Sequence, residues 1–179
     1  MTPDLPAALT GYIRAARIPL ALGALDMPDE PLVEVNQAFC TLTGYAREDG
    51  LGRNCRFLQQ DSEKLRKARA EMRAFLENPE AEAGRFEVPN LRADGTPFTN
   101  LVFMSRLKSQ SGPGSLIFAS QFDLKLTDGF DEVKAYDRQL GQSIDDMADL
   151  SANYGLMMRQ SAELLSQSAA TIANLRFNG

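Results

Sequence analysis

The stretch GRNCRFLQ, residues 52–59, places one of the chain's two cysteines between an amide and a guanidinium. A free cysteine usually acts as a small apolar core residue, and it then has apolar neighbours. Here Asn54, Arg56 and Gln59 surround Cys55, and core packing does not require such neighbours. The pattern indicates a thiol that is held beside polar groups for a chemical purpose.

The composition limits the classes of function. A chain of 179 residues, 44% hydrophobic and 24% charged, suits one globular domain with terminal extensions. The net charge of −5 argues against a general surface for nucleic acids or anionic membranes. No apolar run reaches the roughly 18 residues that a membrane span needs, and MTPDLPAALT lacks a signal pattern. We therefore expect a cytoplasmic protein that binds neither membranes nor nucleic acids.

The cysteines and histidines narrow the chemistry further. The chain has no histidine, which excludes histidine-dependent triads. Cys40 and Cys55 lack the CxxC spacing of common zinc sites, so we expect no metal site. Cys40 lies among apolar residues in NQAFCTLTGY and is predicted to be a core residue.

Local patterns divide the chain into three zones. Residues 1–19 contain a short amphipathic helix, 20–124 have a mixed α+β pattern, and 125–179 are predicted to be helical without strand character. A long helix is expected to begin at Asp61-Ser62 and to end near Asn78-Pro79. Strands are expected at residues 20–27, 31–35, 85–92, 97–108 and 114–125.

Three of these strands carry one carboxamide each. Side chains alternate across a strand, so Asn100 shares a face with Val102 and Met104, and Asn90 and Gln121 lie among apolar residues in the same way. Taken singly, each amide could simply bond to backbone. Together they suit a flat heterocycle whose rim has both donors and acceptors.

Several arginines suggest a phosphate. Arg56 follows the cysteine directly, and Arg66, Arg69 and Arg73 form one stripe of the long helix. The stripe is either a solvated charged face, balanced by neighbouring glutamates, or it includes two guanidiniums that clamp a phosphate. The spacing alone does not select the two.

Four segments of the chain together resemble the LOV (light-oxygen-voltage) family. In chain order they are VNQAFCTLTGY, GRNCRFLQ, NLRADGTPFTNLVFM and FASQFD. This family is a flavin-binding branch of the PAS fold, and the resemblance covers roughly residues 20–124. It implies an α+β fold with a five-stranded antiparallel sheet and short helices over the flavin. It also implies N- and C-terminal helical extensions at 1–19 and 125–179, without a separate effector domain.

The resemblance further implies a blue-light photoreceptor, not an enzyme, with FMN as cofactor. Cys55 would form a reversible bond to the flavin C4a carbon, and Gln121 would relay the change at N5 and O4 to the terminal helices by rotating its amide. The implied cofactor contacts are Asn54 and Gln59 to the side chain and ring region, Arg56 and Arg69 to the phosphate, Asn90 and Asn100 to the pyrimidine edge, with Val102 and Met104 on the same face as Asn100.

Two positions depart from the family pattern. Val102 stands where many LOV domains have phenylalanine, and Ala24 stands where a bulkier residue is common. Both predict a roomier pocket. The alternative interpretation is a PAS sensor that uses flavin redox state or another small ligand. A flavin-dependent enzyme is the weakest hypothesis, because there is no dinucleotide fingerprint.

The output is expected to involve a homodimer. Leu101, Phe103, Phe118 and Phe122 alternate with the residues that face the pocket, so they form an apolar outer face that something must cover. The candidates are the N-terminal helix and the C-terminal segment. We expect a light-dependent homodimer through the outer face and the terminal helices, with an unknown downstream protein.

Overall fold

Short helices and an antiparallel sheet make up the described part of the chain. The computed structural model describes Leu5, residues 7–109 and 115–124, Arg138, Gln142, Asp146 and residues 156–157. The helices are α1 (Ala7–Ala15), α2 (Gln37–Thr43), α3 (Arg47–Gly50), a 3-10 helix (Cys55–Leu58) and α4 (Glu63–Glu77). The strands are β1 (Leu20–Ala24), β2 (Leu32–Val35), β3 (Ala83–Leu91), β4 (Pro97–Ser109), β5 (Ser115–Asp123) and β6 (Leu156–Met157).

Capping residues set the ends of the helices. Asn36 Oδ1 accepts a hydrogen bond from the Phe39 amide at 2.9 Å and begins α2, while Gly44 ends that helix in the left-handed region. Ser62 Oγ accepts from the Leu65 amide at 3.1 Å, so α4 begins where the sequence predicted. Among the described residues, no helix combines the length and apolar composition needed to cross a membrane.

The sheet has the strand order β2-β1-β5-β4-β3, and all its neighbouring strands are antiparallel. This confirms the predicted five-stranded antiparallel sheet. The register places Val88 opposite Asn100 and Val102 opposite Gln121. Because residues opposite one another share a face, the carboxamides of β3, β4 and β5 point to the same side.

The two faces of the sheet are both apolar. On the inner face, β3, β4 and β5 pack against the apolar side of α4 through Phe86, Val88, Val102, Met104, Ile117, Leu65, Ala68, Met72 and Phe75. On the outer face, Leu101, Phe103 and Phe118 pack against Leu9 and Ile13 of α1. The N-terminal helix, one of the two segments predicted to cover the outer face, thus does so within one chain.

Ala24 lies in the outer cluster with Leu9 and Phe118, where it is fully buried. The expectation that Ala24 enlarges the pocket was therefore wrong. Alternation along β1 turns Ala24 outward, whereas Gly23 and Leu25 face the inner side. The pattern of the single strand did not show which residues of this short segment faced inward.

The C-terminal zone contains a strand that the sequence did not predict. Arg138, Gln142 and Asp146 are helical, in agreement with the prediction, but β6 pairs antiparallel with the end of β4, Met157 opposite Lys108. The expectation of no strand character was wrong there. The β3–β4 register ends at Ser105 and the Arg106 amide still donates to the Glu82 carbonyl at 2.7 Å, so the backbone of β4 beyond Arg106 offers an open edge that a short strand can pair with. The rest of the predicted C-terminal helices lies outside the described residues.

A buried carboxylate on β2 joins two helices to the sheet. The Glu34 side chain is 2% exposed, and its carboxylate accepts from Arg14 Nη2 of α1 at 2.8 Å and from Arg47 Nη2 of α3 at 2.7 Å. The same carboxylate also accepts from the Val35 amide at 3.1 Å. A buried charge is tolerated only with such partners, so Glu34 links both α1 and α3 to β2.

We expect Glu34→Gln to lower the free energy of unfolding by about 1–3 kcal/mol, the range for hydrogen bonds to charged groups. Arg14→Ala should cost less than about 1 kcal/mol, because the Arg14 side chain is 58% exposed and solvent screens its charge. Urea denaturation of both variants measures the difference. Equal losses would show that Glu34 does not act as the shared partner of the two helices.

Candidate functional site

A cavity of about 370 Å³ lies against the inner face of the sheet, within the size range of small-molecule sites. Its walls are mainly apolar, with Leu25, Leu32, Met72 and Ile117 among the lining residues. All ten residues that the sequence singled out for cofactor chemistry line this cavity: Asn54, Cys55, Arg56, Gln59, Arg69, Asn90, Asn100, Val102, Met104 and Gln121.

The amides form a polar rim in the apolar wall. Asn90, Asn100 and Gln121 are 5%, 2% and 5% exposed. Asn100 Nδ2 donates to Asn90 Oδ1 at 2.9 Å, and Asn90 Nδ2 donates to the Leu58 carbonyl at 3.3 Å. Asn100 Oδ1 accepts from the Phe122 amide at 3.3 Å. These bonds offset the free-energy cost of burying the Asn90 and Asn100 amides and fix their orientation.

The Cys55 turn, residues 52–58, is fixed by backbone bonds to β2. The Gly52 amide donates to the Leu32 carbonyl and the Leu32 amide donates to the Arg53 carbonyl, both at 2.8 Å. Gly52 has φ 77°, a left-handed conformation that favours glycine. Asn54 Oδ1 then accepts from the Arg56 amide at 3.0 Å and begins the 3-10 helix. Cys55 therefore lies in the first turn of a short helix.

The environment keeps the Cys55 thiol protonated. Burial raises the pKa of Cys55, and the nearby Glu30 carboxylate raises it further, while Arg56 opposes both. Cys40 does not line the cavity and packs against the buried cluster that includes Leu32, Val35 and Phe39, but it is only partly buried, so it lies at the edge of the core. Burial also raises the pKa of Cys40. Neither cysteine forms a disulfide.

The arginine cluster, Arg56, Arg69 and Arg73, lines the cavity and is exposed to solvent, so it lies at the opening. Arg56 forms an ion pair with Asp29, and Arg73 Nη1 pairs with Glu30 Oε1 at 3.0 Å. Arg69 Nε donates to Gln59 Oε1 at 2.7 Å. Arg66, the fourth arginine of the predicted set, is exposed and lies outside the cavity wall.

Sequence reasoning missed the acidic loop, Asp29 and Glu30. The segment MPDEP, residues 27–31, connects the two strands expected at 20–27 and 31–35, and its acidic residues were assigned no role. The available signal was the pair of adjacent carboxylates at that turn, but their meeting with Arg56 and Arg73 depends on the tertiary fold. Arg73 was considered as part of the helix stripe and was not selected, although it lines the cavity.

Comparisons with known proteins identify the family. The family model of the PAS domain matches residues 21–125. The solved LOV domain of the Erythrobacter litoralis EL346 blue-light-activated histidine kinase is 33% identical, with a TM-score of 0.53, covering 59% of this chain and 94% of that chain. The chain belongs to the LOV branch of the PAS family.

Other relatives agree with this assignment. Blue-light-activated histidine kinase 1 of Erythrobacter litoralis is 39% identical over 111 residues, which are 60% of this chain and 29% of that protein. The Rhodobacter sphaeroides LOV protein has a TM-score of 0.76 at 24% identity, covering 96% of this LOV chain and 95% of its own, and that likeness shows the fold. The chain spans about a third of the length of the curated kinases it matches first. It is a member of the LOV blue-light photoreceptor family.

Proposed function

We propose that this LOV domain is a blue-light photoreceptor that binds FMN and forms a reversible bond to it through Cys55. The observation that carries the proposal is that one cavity brings together Cys55, the rim of buried amides and the arginine cluster. Because the chain spans only part of the kinase relatives, their activity is not transferred to it. We propose a sensory role and no catalytic one.

The lining fits the chemistry of FMN. The apolar walls suit a flat ring system, and Asn90, Asn100 and Gln121 provide both donors and acceptors for its polar edge. Arg56 and Arg69 at the opening suit the phosphate, since guanidiniums bind phosphate oxygens with charge-assisted bonds. Asn54 and Gln59 flank the 3-10 helix that carries Cys55 and Arg56, and both line the cavity, which suits contacts to the flavin side chain.

When bound, the flavin would supply blue-light absorption and an electrophilic C4a carbon for the Cys55 sulfur. Cys55 contributes a thiol that keeps its proton at neutral pH, because burial raises its pKa. Gln121 is buried in the wall and its amide can donate from Nε2 or accept at Oε1, so it can serve either protonation state of a ring nitrogen that it faces.

Cys55→Ala should retain FMN but abolish reversible bleaching of the blue absorption band, because the thiol is the bonding group and not an anchor. The bleaching amplitude of the wild type should stay constant from pH 6 to 8, since the raised pKa keeps the thiol protonated. Absorption spectra before and after blue light measure both. Cys40→Ala is the matched control and should bleach normally.

Reversible bleaching in Cys55→Ala would remove Cys55 from the mechanism. A wild-type protein that takes up no flavin would instead favour the alternative, a PAS sensor for another small ligand. Stable flavin binding without bleaching would favour sensing of the flavin redox state.

Val102→Phe should slow the recovery of the blue band in darkness. Val102 is buried in the cavity wall opposite Gln121, and a larger side chain there leaves less room for water or a small base. Recovery traces with and without imidazole measure the effect, and imidazole should accelerate the wild type more than the variant. A recovery that is unchanged or faster in Val102→Phe would contradict the role of Val102.

For the output we propose a homodimer that uses the outer face of the sheet and the terminal helices, with light changing its arrangement. The support is the position of α1, which lies on that face over Leu101 and Phe118 and is joined to the core through Glu34. Because α1 already covers these residues in one chain, its outward side and the C-terminal segment are the surfaces through which a second copy would dock. A downstream protein is not identified by these contacts.

Light scattering of the full chain in darkness and under blue light should show a homodimer whose size or mass distribution changes with illumination. Cys55→Ala under the same light is the control, because it should keep the dark form. A monomer of constant shape in both conditions, with reversible bleaching intact, would exclude this output while leaving the photochemistry in place.

A further inference from the structure

The acidic loop between β1 and β2 has an unusual backbone. Asp29 has φ 66° and Glu30 has φ 48°, so two consecutive residues other than glycine adopt the left-handed region. This conformation costs free energy for residues with a Cβ, although aspartate tolerates it better than most. A strained pair at a cavity opening calls for a physical reason.

Side-chain and backbone contacts hold this conformation. The Asp29 carbonyl accepts from Asn54 Nδ2 at 2.7 Å, and its carboxylate pairs with Arg56. The Glu30 amide donates to the Met27 carbonyl at 3.0 Å, and its carboxylate pairs with Arg73. The loop therefore turns both carboxylates toward the arginine cluster, one to the Cys55 turn and one to α4.

The three guanidiniums at the cavity opening differ in whether a carboxylate neutralises them. Two of the three guanidiniums face a carboxylate, and Glu30 itself lines the cavity. Among the described residues, Arg69 has no carboxylate partner, and its Nε donates to the neutral Gln59 amide. An anion at the opening would thus meet one uncompensated guanidinium and two that are already engaged.

We propose that Asp29 and Glu30 are specificity-determining residues that limit how strongly the cavity prefers a phosphorylated flavin over an unphosphorylated one. The inference rests on the proposed flavin site and goes beyond it, since it assigns a role to residues outside the expected cofactor contacts. A phosphate dianion competes with both carboxylates for Arg56 and Arg73 and is repelled by them. Arg69 supplies the main attraction.

The expected size of the effect on the preference for phosphate follows from the exposure of the charged side chains. The Asp29 side chain is 63% exposed, Glu30 is 24% exposed, and Arg56 and Arg73 are about half exposed, so solvent and salt screen the Asp29–Arg56 pair strongly and the Glu30–Arg73 pair less. Each carboxylate should change the preference for phosphate by roughly two- to five-fold, as surface charge pairs do. Riboflavin has no phosphate, so its dissociation constant should not change when a carboxylate is removed.

The experiment measures dissociation constants of FMN and of riboflavin for the full chain, by ultrafiltration and fluorescence of the free flavin. The variants are Asp29→Asn and Glu30→Gln, which keep the shape of each side chain and remove its charge. Glu71→Gln is the matched control: it removes one exposed carboxylate from α4, where Glu71 lies 4.0 Å from Lys67 and outside the cavity wall.

We expect the ratio of the riboflavin to the FMN dissociation constant to rise roughly two- to five-fold in each loop variant, and further in the double variant. It should stay constant in Glu71→Gln. The ratio of the double variant should also fall more steeply with added NaCl than that of the wild type, because more uncompensated positive charge is exposed to screening.

Equal changes for both flavins would overturn the inference, because the loop would then act through packing. An unchanged ratio with both flavins bound would overturn it as well, and the flavin site itself would stand. Binding of neither flavin to the wild type would instead overturn the proposed function, and the inference with it.

Discussion

The alternation of side chains along β3, β4 and β5 is the constraint on which the rest of the structure depends. β4 and β5 carry large apolar residues on both faces and β3 carries them on its inner face, so neither face of the sheet can be left to water. α1 covers the outer face by direct packing. On the inner face α4 covers only part of the area, and the space between the sheet and the helices is the cavity. The site therefore exists because one face is covered incompletely.

The short strand β2 connects the elements around this cavity. Through Leu32 its backbone holds the Cys55 turn, and through Glu34 it holds α1 and α3. Two residues after Glu34, Asn36 Nδ2 donates to the carbonyls of Ala16 and Ile18 and fixes the segment after α1. Buried polar groups of this kind are satisfied in only one arrangement, so they specify where the helices lie relative to the cysteine.

Features set by local chemistry could be predicted from the sequence. Ser62 and Asn78 determine the ends of α4, and period-two alternation placed Asn90, Asn100 and Gln121 on one face. Features set by distant partners could not be predicted. The pairing of Asp29 with Arg56 joins residues that are 27 positions apart. β6 pairs with the part of β4 that extends beyond its pairing with β3. Their single-strand or single-loop patterns contain no information about these partners.

A backbone bond from β5 links Gln121 to the segment between α1 and β1. The backbone amide of Gln121 donates to the Pro19 carbonyl at 3.1 Å, in the segment between α1 and β1 that Asn36 holds through the Ile18 carbonyl at 2.7 Å. On the other side, β5 ends two residues later at Asp123, and Leu124 bonds to Thr99 of β4. In the proposed photoreceptor, a rotation of the Gln121 amide that shifts β5 would therefore act on the N-terminal helix as directly as on the C-terminal segment. Since α1 covers the outer face, a displacement there would expose apolar surface, and that surface is what a second copy of the chain could bind.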